Sequence, residues 1–151
     1  MFVTDTELFS IIEKLMPEGF SVNKQIEKTI TSRSGAIVIE PNVVSIQFRA
    51  AESPVRYADG TYSRQYKRVA FIVYSNRGQS GQDAGEKACV ELINNMSSLY
   101  NKKFETEYGG EVRKVKIINS KLVIDTNHLG ITEQGIHRFS LEYKLTYQRS
   151  G

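Results

Sequence analysis

The strictest pattern in this sequence lies close to its end, in residues 138–147. Apolar and polar residues alternate there one by one, and the apolar series begins with Phe139, Leu141 and Tyr143. Because successive side chains of a strand point to opposite faces, this pattern predicts a strand with one buried face. The other face is expected to meet water or a partner. The chain must therefore fold around a sheet that is covered on at least one side.

A second segment, residues 67–75, is apolar in both phases of the alternation. Val69, Phe71 and Val73 occupy one phase, and Ala70, Ile72 and Tyr74 the other. A strand with two apolar faces is typical of the centre of a sheet, so we expect a layer over each face. Two more strands are predicted over residues 35–40 and 43–50, separated by the turn pair Pro41-Asn42.

Two helices are predicted from apolar spacing. The first spans residues 4–16, where Thr4 and Glu7 have the spacing of a capping box. The second is longer, begins after a cap at Gln82 or Asp83, and runs to about residue 101. The glycine-rich residues 78–85 before it match no phosphate-binding motif, and we interpret them as a flexible linker.

Length and composition restrict the fold to one domain over residues 1–151. The 151 residues are 40% hydrophobic and 25% charged, values typical of a globular protein. The predicted fold is α+β: a mostly antiparallel or mixed sheet packed with a long central helix and a short N-terminal helix. No segment is apolar over the roughly 20 residues that a transmembrane helix needs, and no secretory signal is recognised, so no membrane partner is expected.

Residues 51–66 are rich in tyrosine and arginine around the turn pair Asp59-Gly60. This composition predicts a protruding hairpin or long loop. Tyrosine and arginine are enriched at protein interfaces, which makes the segment a candidate contact surface, although a solvated loop explains it equally well. The candidate interface residues, for contact with another subunit or a tube, are Arg56, Tyr57, Tyr62, Arg64, Tyr66 and Arg68.

The sequence offers little support for catalysis, a cofactor or a metal. Cys89 is the only cysteine and falls on the predicted apolar face of the long helix, as a core residue would. His128 and His137 are nine residues apart and have no metal-binding spacing, and we expect a solvated imidazole at His137. We therefore predict a protein that is not an enzyme and holds no cofactor.

Nucleic-acid binding is a second possibility. Arg64, Lys67 and Arg68 lie among tyrosines, a combination found in proteins that bind single-stranded nucleic acid. Five basic residues between 102 and 116 are diluted by acids, and the net charge of the chain is only +3. The basic-aromatic segment 57–68 suits DNA or a neighbouring subunit, and the sequence does not separate the two.

The order of these elements resembles that of tail terminator and minor capsid proteins of tailed bacteriophages and prophages. The most specific likeness is residues 129–135, in which Leu129-Gly130, the acidic Glu133 and Gly135 precede the long alternating strand. The family often has Asp followed by Gly-Arg here, whereas this chain carries its arginine at Arg138. We expect Gly130 and Gly135 to be structural turn residues, because turns before a strand often need positive φ.

The resemblance implies a structural virion protein in the neck of the phage. Such a protein forms a homo-hexameric ring at the head-proximal end of the tail tube, stops tube polymerisation and presents a surface to head-completion proteins. Implied partners are copies of itself, the tail-tube protein, neck proteins, and genomic DNA in the ring lumen. Assembly would take place in the bacterial host cytoplasm.

Three alternatives remain open at this stage. The first is another neck or tail-completion protein of the same particle. The second is a small nucleic-acid-binding module that uses residues 57–68. The third is a hydrolase or transferase that works through His128 or His137, whose activity would be lost when either histidine is replaced by alanine.

Overall fold

A computed structural model of the chain describes residues 2–23, 29–31, 37–56 and 62–150. These residues form two α-helices, one 3-10 turn and nine strands. In chain order the elements are α1 (Asp5–Ile12), the 3-10 turn (Glu13–Leu15), β1 (Ser21–Asn23), β2 (Thr29–Thr31), β3 (Ile37–Ile39), β4 (Val43–Ala50), β5 (Val55–Arg56), β6 (Tyr62–Arg77), α2 (Gly78–Ser97), β7 (Lys102–Tyr108), β8 (Glu111–Ile131) and β9 (Ile136–Ser150). Residues 35 and 36, at the start of the strand predicted over residues 35–40, lie outside the described residues.

The main sheet is mixed and has the order β1-β4-β6-β9-β8-β7, with β5 paired to the start of β6. β1 runs parallel to β4, and the other pairs are antiparallel. β2 and β3 form a separate antiparallel pair. The predicted α+β class with a mixed sheet is confirmed.

One face of the sheet carries both helices and the hydrophobic core. The predicted alternation of β9 is confirmed, because Phe139, Leu141 and Tyr143 are buried on this face. We call it the helix-covered face and the opposite one the helix-free face, since within the described residues α1 and α2 both contribute to the first. The core includes Leu8, Ile12, Val44, Ile46, Val69, Phe71, Val73, Leu92, Met96, Val115, Ile117, Leu145 and Tyr147.

β6 lies in the middle of the sheet, between β4 and β9, as predicted. The expectation of a layer over each of its faces is only partly met. Val69, Phe71 and Val73 are fully buried under the helices, whereas Ala70 and Ile72 on the helix-free face are half-buried. The second apolar phase of β6 is therefore partly open at Ala70 and Ile72, whereas Tyr74 in the same phase is buried.

α1 begins with the predicted capping box. The Glu7 N–H donates to Thr4 Oγ1 at 3.2 Å, and the Thr4 N–H donates to Glu7 Oε1 at 3.1 Å. The α-helix ends at Ile12 and continues as the 3-10 turn to Leu15, so the predicted helix is one turn too long.

α2 begins at Gly78, and the predicted flexible linker over residues 78–85 is wrong. Gly81 and Gly85 lie inside the helix and are buried. A Cβ on Gly81 would stand 1.8 Å from the Asn76 carbonyl oxygen, and one on Gly85 would stand 2.3 Å from the Phe139 ring. The glycines therefore allow close packing of helix and sheet. The helix is long, but it covers one face and exposes its outer side, so its central position is only partly confirmed.

β7 and β8 form a hairpin around Gly109-Gly110, both of which have positive φ. β8 is 21 residues long and ends at Ile131. Beyond Ile117, β8 pairs only with β9 within the described residues, and the ladder is interrupted by four register shifts. One long edge of the sheet therefore consists of the second half of β8.

The predicted protruding hairpin over residues 51–66 is shorter than expected. β5 pairs with β6 antiparallel, with Val55 opposite Arg64, on either side of residues 57–61. Those five residues, which include the predicted Asp59-Gly60 turn, lie outside the described residues. Residues 62–66 belong to β6, which pairs with β9 from Gln65 onward. Gln65 lies opposite Tyr147, at the end of the alternating segment of β9.

Candidate interaction surface

The helix-free face carries a line of basic residues that crosses four strands. Arg49 of β4 lies opposite Arg68 of β6, Arg68 lies opposite Lys144 of β9, and Lys144 lies opposite Lys121 of β8. We call these four residues the basic row. At about 4.8 Å between strands, the row is about 14 Å long. Like charges directly opposite one another destabilise a sheet, so the row is a cost that the fold must offset.

Glu142 partly offsets that cost. Its side chain is only 4% exposed and lies in β9, two residues before Lys144. Arg68 Nη1 donates to Glu142 Oε2 at 3.1 Å, and Arg49 Nη1 lies 3.5 Å from Glu142 Oε1. One carboxylate thus serves two guanidinium groups, whose side chains are 43% and 58% exposed. Within the described residues Glu142 Oε1 accepts no hydrogen bond.

The other two cations of the row are Lys144 and Lys121. The Lys144 ammonium forms an ion pair with Glu52 and lies 5.3 Å from the centre of the Tyr66 ring. Lys121 is exposed. Among the residues that the structure describes, two carboxylates thus contact the four positive charges of the row.

The predicted interface residues fall into three groups. Arg64, Tyr66 and Arg68 are every second residue of β6 and lie on the helix-free face. Arg68 belongs to the basic row, and the Tyr66 ring contacts Lys144 of the same row. Arg56 ends β5 and Tyr62 begins β6, where the two residues pair. Tyr57 lies outside the described residues.

Lys67 does not belong with its neighbours Arg64 and Arg68. Its position in β6 faces the helix-covered side, where the Lys67 ammonium lies 3.2 Å from Asp5 of α1. A strand sends adjacent side chains to opposite faces, so three basic residues close in sequence cannot form one patch. The basic cluster proposed from sequence is therefore split between the two faces.

The sequence reasoning missed Arg49, Lys121, Lys144 and the buried Glu142. The signal that could have found three of them was the polar phase of the predicted strands, in which Arg49, Glu142 and Lys144 recur. Their juxtaposition, however, depends on the register between strands that are distant in sequence. Register is a tertiary property, and the pattern of one strand does not specify it.

Gly130 and Gly135 occupy different structures. Gly135 (φ 84°) ends the β8–β9 turn, where its N–H donates to the Thr132 carbonyl at 2.9 Å. Gly130 (φ 106°) lies within β8 at a register shift, and not in the turn itself. Glycine adopts both positive-φ conformations without the backbone strain that other residues would incur.

His128 and His137 come together, although their spacing carries no motif. His137 is 4% exposed, so the expected solvated imidazole is wrong; it shares the strand phase of Phe139, which points toward the helices. His128 Nε2 and His137 Nδ1 are 3.2 Å apart, and His137 Nε2 lies 3.0 Å from the Gly78 carbonyl oxygen. His128 also stacks on Phe139, with 4.7 Å between ring centres.

Cys89 is buried in the core, and burial raises the pKa of its thiol to about 12. A thiol with so high a pKa is a poor nucleophile at neutral pH. Across the described parts of the chain, no three residues of the His, Cys, Asp and Glu types are grouped so that they could hold a metal ion. None of the described helices is long and apolar enough to cross a membrane.

Comparison with known proteins gives no family assignment. No protein-family model matches the chain, and a search of curated proteins finds no match either.

Proposed function

We propose that this protein is a structural component of the neck of a tailed phage, namely a tail terminator. In this role it forms a ring, hexameric by the resemblance, at the head-proximal end of the tail tube. The ring stops tube polymerisation and joins the tail to head-completion proteins. The virion is then its location, with assembly in the bacterial host cytoplasm, and the protein is not an enzyme.

The proposal rests on the structure of the last part of the sequence, from residue 129 through β9. The stretch that resembles the family, residues 129–135, leads through the Thr132–Gly135 turn into β9. β9 pairs along its length with β6 and β8 and supplies five core side chains. The most family-like segment thus leads directly into the strand that pairs on both sides and carries much of the core.

The shape of the sheet supports self-association. Within the described residues, β4 beyond Ser45 and β8 beyond Ile117 each pair on one side only. Strand edges and exposed sheet faces are common contact surfaces, and a contact between two different surfaces of one subunit generates a ring when the rotation closes.

The same surface also supports a second candidate function, nucleic-acid binding. Arg64, Arg68 and Tyr66, which the sequence proposed for this role, lie on the helix-free face with the basic row. A nucleic-acid contact there would neutralise phosphates, so its affinity would fall steeply with salt. A different neck or tail-completion position is a variant of the first proposal that only location in the particle distinguishes.

The test is the mass of the purified full-length protein by light scattering, alone and mixed with the tail-tube protein encoded by the same phage genome. Negative-stain imaging then identifies the species. Rings, alone or at tube ends, support the tail terminator function. A stable monomer that ignores the tube contradicts it, and binding to duplex DNA with a steep salt dependence would establish the second candidate.

A further inference from the structure

We propose that the helix-free face of one copy binds the outer side of α2 of a neighbouring copy, with the basic row as its electrostatic centre. The inference rests on the proposed function, because it identifies the contact through which copies would form the ring. It is argued from three features: the charge of the row, the open apolar phase of β6, and the opposite charge of α2.

The first feature is the excess positive charge. Four cations lie in register across β4, β6, β9 and β8, and Glu142 and Glu52 are the carboxylates that contact them within the described part of the chain. Half of the Arg49 and Arg68 side chains remains accessible, and Lys121 is exposed. The row therefore fits a partner that presents carboxylates.

The second feature lies directly beside the row. Ala70 and Ile72 lie on the helix-free face of the central strand and are half-buried, whereas Tyr74, the next residue of this phase, is buried. A central strand with two apolar faces is normally covered on both. The surface thus combines charge with a small apolar strip, which suits a protein partner better than a phosphate backbone.

The third feature is the outer side of α2. Asp83, Glu86 and Val90 follow one another at helical spacing on the exposed side, and Val90 is 59% exposed. Lys87 is the only basic residue of the helix, whereas Glu91 adds a third acid. In the described parts of the chain, Asp83 and Glu86 accept hydrogen bonds from the uncharged Gln79 and Gln82, at 3.0 and 3.4 Å, which do not neutralise the two carboxylates.

The dimensions of the two surfaces agree. Asp83 and Val90 are seven residues apart, or about 10 Å along the helix. Ala70 and Ile72 lie two and four residues after Arg68, or about 7 and 13 Å along β6. A helix laid along β6 therefore reaches from the row to the apolar strip. Docking would place Val90 over the strip of Ala70 and Ile72 and the acids over the cations. Because the two surfaces lie on opposite sides of one sheet, the contact is heterologous and repeats from copy to copy, as a ring requires.

Charge reversal tests the contact with the full-length protein. One variant, the row variant, reverses the two lysines of the row (Lys121→Glu with Lys144→Glu), and a second, the helix variant, reverses two acids of α2 (Asp83→Lys with Glu86→Lys). Lys102→Glu, which changes an exposed lysine of β7 away from both surfaces, is the control. Circular dichroism checks the fold, and Lys121→Glu alone serves as the milder variant, because Lys121 is an exposed side chain.

Sedimentation velocity at low salt measures assembly. Each reversed variant is expected to associate at least about tenfold more weakly than the wild type, because like charges then face each other. An equimolar mixture of the two variants should recover assembly, since every contact in an alternating ring is then complementary. The control should assemble like the wild type.

The failures are distinguishable. If the wild type assembles and both reversed variants assemble equally well, the inference is overturned while the proposed ring remains. If the row variant loses only its binding to labelled duplex DNA and still assembles, the row serves nucleic acid and the inference is again overturned. A wild type that stays monomeric and does not join tail tubes overturns the proposed function as well.

Discussion

Glu7 of α1 and Arg149 of β9, 142 residues apart in sequence, form the most buried ion pair described in this fold. Both nitrogens at the tip of the guanidinium donate to the carboxylate, with Arg149 Nη2 at 2.8 Å from Glu7 Oε1. Thr106 Oγ1 donates to Glu7 Oε2, and Thr4 donates from its backbone. The carboxylate thus joins the first helix to β7 and to the end of the last strand.

We expect Glu7→Gln to destabilise the protein by about 3 kcal/mol, because an amide cannot replace the charged acceptor and leaves Arg149 without its partner. Urea unfolding at pH 7 measures the loss. Glu13→Gln, in the exposed 3-10 turn that follows the same helix, is the matched control and should change stability by less than about 0.5 kcal/mol. Equal effects of the two variants would contradict the role of the pair.

Acid stability should depend on the same carboxylate. Burial alone would raise the pKa of Glu7, but the hydrogen bonds from Arg149, Thr106 and Thr4 outweigh it and lower the pKa from 4.5 to about 2. A carboxyl whose pKa is lowered by folding stabilises the folded state. Its contribution is complete above the pKa of the unfolded state and is lost as the pH falls through the pKa of the folded state. We therefore expect the stability difference between wild type and Glu7→Gln to be constant above pH 5 and to shrink between pH 4.5 and about 2. A difference that stays constant down to pH 2 would show that the Glu7 charge is irrelevant.

The capping box of α1 was predictable because its two residues are three apart and act locally. The partnership of Glu7 with Arg149 and Thr106 was not, because it depends on how distant strands end beside the helix. The same division holds for β9 and β6. Their alternation predicted strands, a buried face and a central position, whereas the length of β8 and its register shifts depend on pairing with β9.

Gly81 and Gly85 provide a test of helix–sheet packing. Glycine to alanine in the middle of a helix ordinarily stabilises by about 1 kcal/mol. Here we expect both substitutions to destabilise, by about 1–3 kcal/mol, because the new Cβ would overlap Asn76 backbone or the Phe139 ring. Thermal unfolding checks this, with Ser80→Ala on the exposed side of the same helix as the control. Stabilisation by Gly85→Ala would contradict the close contact between α2 and the Phe139 ring.

The glycines of the β8–β9 region should tolerate valine poorly. Gly130→Val and Gly135→Val each force a β-branched residue into positive φ, and we expect a loss of about 1–2 kcal/mol or more. At Gly130 the Cβ would meet open space, so backbone strain alone causes the loss there. Glu133→Val in the same turn is the control for adding an apolar side chain. Unchanged melting temperatures in both glycine variants would refute the prediction.

The two histidines should have defined tautomers. The Gly78 carbonyl can only accept, so His137 must carry its proton on Nε2 and accept through Nδ1 from the His128 Nε2–H. We expect nitrogen-resolved NMR of the neutral rings to show the Nε2–H form at both residues. In His137→Gln the signal of His128 should change, whereas a substitution at the distant Lys102 should leave it unaltered. An Nδ1–H tautomer at His137 would contradict this arrangement.

The candidate surface was predictable only in part, for a physical reason. Tyr66 and Arg68 were identified because tyrosine and arginine are concentrated near the turn pair Asp59-Gly60 and are enriched at protein interfaces. Arg49 and Lys121 were not, because isolated basic residues on strands are ordinary. Only the register of four strands brings them into one row.

The tyrosine–arginine hairpin provides the last test, since it separates folding from assembly. Replacing residues 55–64 with a short glycine-serine linker removes β5 and the start of β6 but spares Gln65, whose side chain pairs with both backbone groups of Val3 at 2.7 and 3.2 Å. Val55 and Arg64, at the two ends of the replaced segment, are exposed, so we expect the monomer to unfold within about 1 kcal/mol of the wild type. Assembly into rings and onto tube ends should weaken, because Arg64 is removed from the helix-free face. A matched variant in the other exposed hairpin, Gly109-Gly110 extended by two serines, controls for loop changes in general. If the shortened protein forms rings and joins tubes normally, the interface does not include this hairpin.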